Sequence, residues 1–189
     1  MTAITRAWLS FAAIGAGVIH LALVISSPLA IGIPLALFGI AELTWGVLIL
    51  VKDRLVSPRL AHAGAVTPLL LWSLLTVTVT LLAAPQVASS LRFVPMGIAA
   101  IFELFIAGVL SVILRRQTET ETETEIEPST PAAKPATAVK YLSAVIIAGV
   151  LVGALTTPAL AATQAGAVAI EHGGTMGGMM TMNLPGMGH

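Results

Sequence analysis

The chain has 189 residues, of which 57% are hydrophobic and 10% charged, with nine basic and nine acidic side chains. Soluble domains carry about 25% charged residues, so this composition indicates an integral membrane protein. The scattered basic residues give no footprint for nucleic acid. Because the chain contains no cysteine, a disulfide framework, a thiolate metal site and a cysteine nucleophile are excluded.

Five apolar stretches are long enough to cross the hydrocarbon core of a bilayer, which takes about 20 residues of helix. Short connections between the first four stretches predict an up-down bundle of antiparallel helices. The predicted fold class is an all-α integral membrane protein, with a four-helix transmembrane bundle over residues 1–116 and a fifth transmembrane helix over residues 140–163. The five stretches are Trp8–Ile25, Ala30–Val51, Leu60–Ala83, Phe93–Leu114 and Tyr141–Ala162.

Three ionisable side chains interrupt the first, second and fourth stretches: His20 in GVIHLAL, Glu42 in GIAELTWG and Glu103 in IFELFIAG. Such groups at membrane depth are costly and are candidates for function. Each has glycine or alanine three or four residues away, and small residues let membrane helices approach closely. We therefore expect one intramembrane polar cluster, open to the outer face if it is open at all. His62, near the start of the third stretch, is interpreted as an interfacial residue.

Two interpretations of this polar cluster are open. It can hold a proton, coordinate a cation or bind a polar headgroup. Alternatively, it only fixes helix packing through hydrogen bonds between helices.

Two segments of the first and second helices, GVIHLAL and GIAELTWGVLIL, resemble those of DoxX-like small four-helix membrane proteins. Such proteins carry a glycine-rich first helix and a G-x-x-E-L element in the second. The resemblance covers residues 8–114. It implies a link to quinone-coupled respiratory complexes or to redox homeostasis, although the fold does not fix one activity.

Residues 117–139, QTETETETEIEPSTPAAKPATAV, form a low-complexity linker. Alternating Thr and Glu followed by prolines cannot bury apolar surface, so the linker is predicted to be disordered. We interpret it as a solvated cytoplasmic tether. The alternative is a phosphorylated or docking segment.

The basic residues predict the orientation, since Lys and Arg are enriched on the cytoplasmic side. With a cytoplasmic N-terminus, eight of the nine basic residues fall inside and only Arg92 falls outside. The chain is then a multi-pass protein of the plasma membrane with an extracytoplasmic C-terminal tail. The eight inside are Arg6, Lys52, Arg54, Arg59, Arg115, Arg116, Lys134 and Lys140.

The fifth stretch ends in TPALAATQAG, which is similar to a secretory signal with a small-residue cleavage site. Ala159 and Ala161 occupy the positions that a signal peptidase reads, so cleavage before Ala162 is an alternative to a permanent fifth helix. Either way, the tail lies outside the cytoplasm.

The tail, residues 164–189, is rich in Gly, Met and His and is predicted to be flexible. Thioether sulfur suits chiefly Cu(I), and imidazole accepts either copper oxidation state. Methionine also avoids the disulfide formation to which cysteine is prone outside the cytoplasm. Copper, as Cu(I), is the predicted cofactor. Its predicted ligands are His172, Met176, Met179, Met180, Met182, Met187 and His189.

The composition of the tail resembles the Met/His-rich extracytoplasmic segments of bacterial copper-handling proteins and copper importers. The alternative is a tail that binds nothing in particular, or that packs its methionines on a partner, since Met suits adaptable surfaces.

The leading hypothesis is a copper-handling integral membrane protein that captures copper on its tail, and the sequence leaves open whether it is an enzyme. The tail would pass it to a copper-receiving partner or inward to the polar cluster. One alternative is a non-catalytic accessory or assembly subunit of a larger membrane complex, such as a copper-dependent oxidase or monooxygenase. Another is a quinone- or redox-linked protein of the DoxX-like kind. The expected partners are the lipid bilayer and either a larger membrane complex or a copper-receiving protein. Nucleic acid is not an expected partner.

Overall fold

The structure is a computed structural model and describes residues 1–82, 92–122 and 137–178. These residues form helices and no strand, as the predicted all-α class requires. The helices within these ranges are α1 (Ala3–Val24), α2 (Leu29–Lys52), α3 (Pro58–Leu81), α4 (Phe93–Thr122), α5 (Ala138–Ala161) and α6 (Gln164–Gly178).

Within the described residues, five helices, α1 to α5, are long and apolar enough to cross a membrane. They correspond in order to the five stretches predicted from the sequence. Large apolar side chains on α2 to α5 remain exposed along much of their length. Such surface is unusual in a soluble monomer, and it is compatible with a multi-pass membrane protein.

Helix α4 is longer than the apolar stretch that predicts it. It continues to Thr122, into the segment predicted as linker from residue 117. Arg115 donates a hydrogen bond of 2.9 Å to Glu119 one turn further on, and such pairs favour helix. Extending a helix also costs less than nucleating one. The remainder of the predicted linker, residues 123–136, lies outside the described residues.

Helix α1 is the central helix of the bundle. In its most apolar window 61% of the residues are buried, against 17–28% in the other four long helices. It packs most extensively on α2 and also contacts α4 and α5. The polar residues that α1 carries are therefore enclosed by neighbouring helices.

Glycines set the close approach of α1 and α2. A β-carbon added to Gly17 would lie 2.8 Å from the main-chain oxygen of Gly39, and one added to Gly46 would lie 2.9 Å from that of Ser10. The Ser10 hydroxyl donates a hydrogen bond of 2.6 Å to the Gly46 carbonyl. Because no larger side chain fits, the two backbones come close enough for their polar side chains to meet.

The two ends of the bundle are identified by two arginines. Along α1 and α2, Ser10 meets Gly46 and Gly17 meets Gly39, so these helices are antiparallel. Arg6 and Asp53 form an ion pair at one end, called here the Arg6 end. At the opposite end, where α1 connects to α2, lies Arg92; this is the Arg92 end.

Helix α5 packs on the bundle rather than lying apart from it. It contacts both α1 and α4. A β-carbon on Gly15 of α1 would lie 2.9 Å from the Val152 side chain. At the Arg92 end, the Arg92 guanidinium donates a hydrogen bond of 2.8 Å to the carbonyl of Ala162, just past the end of α5.

The prediction of a flexible tail is wrong for residues 164–178, which form α6. Thr163 begins this helix: its hydroxyl oxygen accepts from the Gly166 N–H at 3.1 Å, which is an N-cap. The run AGAVAI that follows is rich in alanine, the best helix former. Because α6 also contacts α5 and α1, local propensity and packing together outweigh the glycines. Residues 179–189 lie outside the described residues.

Candidate metal centre between three helices

The three ionisable residues singled out in the apolar stretches lie on three different helices and meet in the bundle. His20 is on α1, Glu42 on α2 and Glu103 on α4. The glycine contact between α1 and α2 brings His20 and Glu42 together, and the same α1 packs on α4. We call these three residues the intramembrane cluster.

Imidazole and carboxylate atoms are closely spaced in the intramembrane cluster. His20 Nδ1 lies 2.8 Å from Glu42 Oε2, which is a hydrogen bond. On the other side of the ring, His20 Nε2 lies 3.4 Å from Glu103 Oε1. Taking one ligand atom from each residue, all three lie within 4.8 Å of one another. Within residues 1–82, 92–122 and 137–178, these three residues form the group of His, Asp and Glu side chains that could hold a metal ion.

Several polar atoms of the cluster are buried without a hydrogen-bond partner: His20 Nε2, Glu42 Oε1 and Glu103 Oε1. The 3.4 Å approach of His20 Nε2 to Glu103 meets the distance of an ion pair but not the geometry of a hydrogen bond. His20 and Glu103 are almost wholly buried, whereas the Glu42 side chain keeps 12% of its surface exposed. Unpartnered buried polar atoms are costly, so these three atoms are the ones a ligand would satisfy.

Charge also leaves the cluster incomplete. A protonated His20 balances one carboxylate, and the second carboxylate still requires a proton or a cation. Leaving a buried charge uncompensated is strongly unfavourable. The cluster can therefore take up a proton or coordinate a metal ion through imidazole nitrogen and carboxylate oxygen.

The hydrogen bond from His20 to Glu42 resembles a recurring arrangement at metal sites. A ligating histidine usually gives its other ring N–H to a carboxylate, which fixes the tautomer and orients the ring. Here Glu42 would accept from Nδ1, leaving Nε2 and the Glu103 carboxylate to face an ion. No other His, Asp or Glu of the described residues joins them.

Two cavities lie between α2 and α3, which barely touch each other. The first, the Glu42 cavity, measures about 400 Å³ and reaches from Val56 and Ser57 at the Arg6 end inward to Glu42. The second, the Arg92 cavity, measures about 380 Å³ and reaches inward from Arg92. Phe38 contacts both cavities.

The expectation that the cluster opens to the outer face stays a prediction, and the structure shows only at which end of the bundle the cavity beside the cluster lies. Glu42 lines the cavity at the Arg6 end, and no residue of the cluster lines the Arg92 cavity. Phe38, one turn from Glu42 towards the Arg92 end, lines both cavities.

The predicted tail ligands are only partly placed. His172 and Met176 lie in helix α6, where the structure describes the backbone alone. The remaining five lie outside the described residues: Met179, Met180, Met182, Met187 and His189. The tail copper site therefore stays a prediction. His62 hydrogen-bonds through Nε2 to Ser111 of α4 at 2.8 Å and takes no part in the cluster.

Sequence reasoning missed the residues that shape the access to the cluster. Trp45 donates a hydrogen bond of 2.7 Å to the Val56 carbonyl, which fixes the loop between α2 and α3 over the Glu42 cavity. Arg6 holds the same loop through Asp53. Phe38 is one aromatic residue in an apolar helix, and nothing in its spacing distinguishes it from a lipid-facing side chain.

The chain matches no protein-family model, no curated protein and no solved structure. The resemblance to DoxX-like proteins therefore rests on the two segments of α1 and α2 alone.

Proposed function

We propose that the chain is a copper-handling integral membrane protein that captures copper on its Met/His tail for delivery or uptake. The observation that supports this proposal is the intramembrane cluster, with the facing atoms of His20, Glu42 and Glu103 within 4.8 Å. A group of side chains that could hold a metal ion inside the bundle supports a protein that handles metal.

Charge distribution supports an orientation with the tail outside. Arg6 and Asp53 mark one end, and the other basic residues of the loops on that side far outnumber Arg92 at the opposite end. Lys and Arg are enriched in cytoplasmic loops. The Arg6 end then lies in the cytoplasm, in an up-down bundle of the plasma membrane. The tail follows Ala162 at the Arg92 end, outside the cytoplasm.

The chemistry of the tail supports copper as the metal. Five methionines and two histidines occur in its last nineteen residues. Thioether sulfur binds Cu(I), whereas zinc prefers thiolate and imidazole. The intramembrane cluster has no sulfur and offers nitrogen and oxygen, which suit divalent copper better than Cu(I). The tail and the cluster are thus two sites of different character.

The proposal is tested by Cu(I) titration of the purified full-length protein. We expect that replacing Met176, Met179, Met180 and Met182 by Ser sharply weakens Cu(I) binding, because a hydroxyl is a poor ligand for Cu(I). Met1 and Met96, which lie outside the tail, supply the control substitutions. Unchanged Cu(I) binding by the tail variant would overturn the proposal.

The Arg92 cavity favours a second candidate, a quinone-linked protein of the DoxX-like kind. Its walls are mainly apolar, with Leu35, Phe38 and Leu75 among them. Trp72 also lines it, and its buried indole N–H has no partner among the described residues. A ring carbonyl could accept this hydrogen bond. Purification from native membranes tests the idea: a bound quinone would support it, and a quinone-free preparation would refute it.

A further inference from the structure

The Glu42 cavity joins the intramembrane cluster to one end of the bundle only. It begins at Val56 and Ser57, runs along Ala61 and Gly64 of α3, and ends at Glu42. Glu42 is also the most exposed member of the cluster. A solute that enters the cavity therefore meets Glu42 first.

Behind Glu42 lie the atoms that a metal ion would use. Glu42 Oε1 is buried and unpartnered, and so are His20 Nε2 and Glu103 Oε1. Two ligands bound to one ion at ~2.1 Å lie at most ~4.2 Å apart. His20 Nε2 and Glu103 Oε1, which lie 3.4 Å apart, are already within that limit.

The Arg92 cavity does not reach the cluster. Phe38 lines both cavities, and Leu35 and Ile31 continue the apolar wall of the Arg92 cavity towards its mouth. None of the three cluster residues lines the Arg92 cavity, whereas Glu42 lines the other one. Among the residues that the structure describes, the cavity at the end where the tail follows Ala162 therefore does not reach the cluster.

We propose that the intramembrane cluster is a divalent transition-metal site loaded from the Arg6 end through the Glu42 cavity, with Phe38 closing it towards the Arg92 end. His20 Nε2 and the Glu103 carboxylate ligate the ion. Glu42 accepts the Nδ1–H of His20, orients the ring and guides the ion inward. The inference rests on the proposed function only in that the protein handles metal. It gives the cluster metal ions from the Arg6 end, separately from the copper bound by the tail.

The absence of cysteine from the chain makes the route directly testable. Gly64 lines the Glu42 cavity, and a β-carbon at this position meets no atom within 4 Å, so Gly64→Cys fits without a clash. Ser27 lines the Arg92 cavity, and Ser27→Cys is the matched control. A charged, membrane-impermeant thiol reagent is applied to membrane vesicles of either orientation, so that it reaches one end of the bundle at a time.

We expect Gly64→Cys to react from the Arg6 end and not from the Arg92 end, and Ser27→Cys to show the reverse. Reaction of Gly64→Cys from the Arg92 end, or from neither end, would overturn the proposed route. Tail binding of Cu(I) would be untouched by that result, so the proposed function is tested separately.

The ion is tested with Mn²⁺ as the probe, followed by electron paramagnetic resonance on the full-length protein. Mn²⁺ suits carboxylate oxygen and not thioether sulfur, so the tail methionines do not compete. We expect His20→Ala and Glu103→Gln to abolish binding and Glu42→Gln to weaken it about 10- to 100-fold, as loss of an orienting partner does. His62→Ala is the control. Equal Mn²⁺ binding by the wild type and His20→Ala would overturn the site, with circular dichroism verifying that the variant is folded.

Discussion

Arg92 at the start of α4 donates a hydrogen bond to the main-chain carbonyl of Ala162, just after α5 ends. This contact fixes the segment that is similar to a signal-peptidase site. Ala159, at one of the two positions the peptidase would read, is fully buried within α5. Proteolysis concentrates at exposed, flexible segments. On this basis we expect the chain to keep its tail.

We predict that protein purified from its native membrane has the intact mass of the uncleaved chain. The physical reason is that helix α5 would have to unwind past Ala159 before a peptidase could bind it. Arg92→Ala removes the hydrogen bond to Ala162, and we expect it to increase cleavage between Ala161 and Ala162. Arg54→Ala, at the Arg6 end, serves as the control. A wild-type mass that ends at Ala161 would contradict the prediction.

A second prediction concerns the contribution of the cluster to stability. His20→Ala leaves Glu42 and Glu103 without the imidazole that lies between them, and removing one partner of a buried hydrogen-bonded group costs about 1–3 kcal/mol. His62→Ala removes a hydrogen bond in a more exposed position and should cost about 1 kcal/mol or less. Unfolding of the two variants in mixed micelles measures the difference. Equal losses would show that the cluster contributes little to stability.

The glycine contact between α1 and α2 gives a third prediction. In Gly17→Ala the new methyl group would meet the main-chain oxygen of Gly39. Overpacking of this kind costs about 1–3 kcal/mol. Gly108→Ala on α4 is the matched control, because a β-carbon there meets no atom within 4 Å. Its effect should be neutral or stabilising by up to about 1 kcal/mol, since Ala favours helix over Gly.

Gly17→Ala should also weaken metal binding at the cluster, because it separates the helices that carry His20 and Glu42. The Mn²⁺ titration measures this. If Gly17→Ala and Gly108→Ala behaved alike in both stability and binding, the close approach of α1 and α2 would not be what assembles the cluster.

The hydrogen bond between Trp45 and Val56 gives a fourth prediction. Trp45→Phe keeps an aromatic ring and removes the indole N–H, at a cost of about 1 kcal/mol. Because this bond fixes the loop over the Glu42 cavity, we expect the variant to speed thiol modification of Gly64→Cys from the Arg6 end. Asp53→Asn, which weakens the other attachment of the loop at Arg6, should act in the same direction. An unchanged rate in both would show that the loop does not restrict the cavity.

Much of the fold follows from the sequence, because helix length and apolar content are fixed by the thickness of the membrane. The predicted stretches and the helices α1 to α5 differ by only a few residues at most ends. The three cluster residues were also identifiable, since an ionisable group inside an apolar stretch is conspicuous. Small residues beside His20 and Glu42 indicated the faces along which α1 and α2 pack.

The direction in which the cluster opens could not be read from the sequence. It depends on which pair of helices separates, and the apolar pattern of α2 and α3 does not indicate that they barely touch each other. Phe38 has the same sequence context as a lipid-facing residue. Helix α6 does not follow from composition, because the glycines near residue 173 favour a flexible segment over the helix-forming run AGAVAI. In the structure, the N-cap at Thr163 and the contacts with α5 favour the helix.

The packing of Gly15 against Val152 has a consequence for the time course of synthesis. The two residues are separated by 137 positions (152 − 15), and ribosomes add ~5–20 residues per second. The flank of α1 around Gly15 therefore waits roughly 7–27 s for α5 at that rate, with Phe102 of α4 packed beside it. The most buried helix is the first to be made and the last to be fully enclosed. In a chain truncated before residue 138, the face of α1 that packs on α5 would remain uncovered.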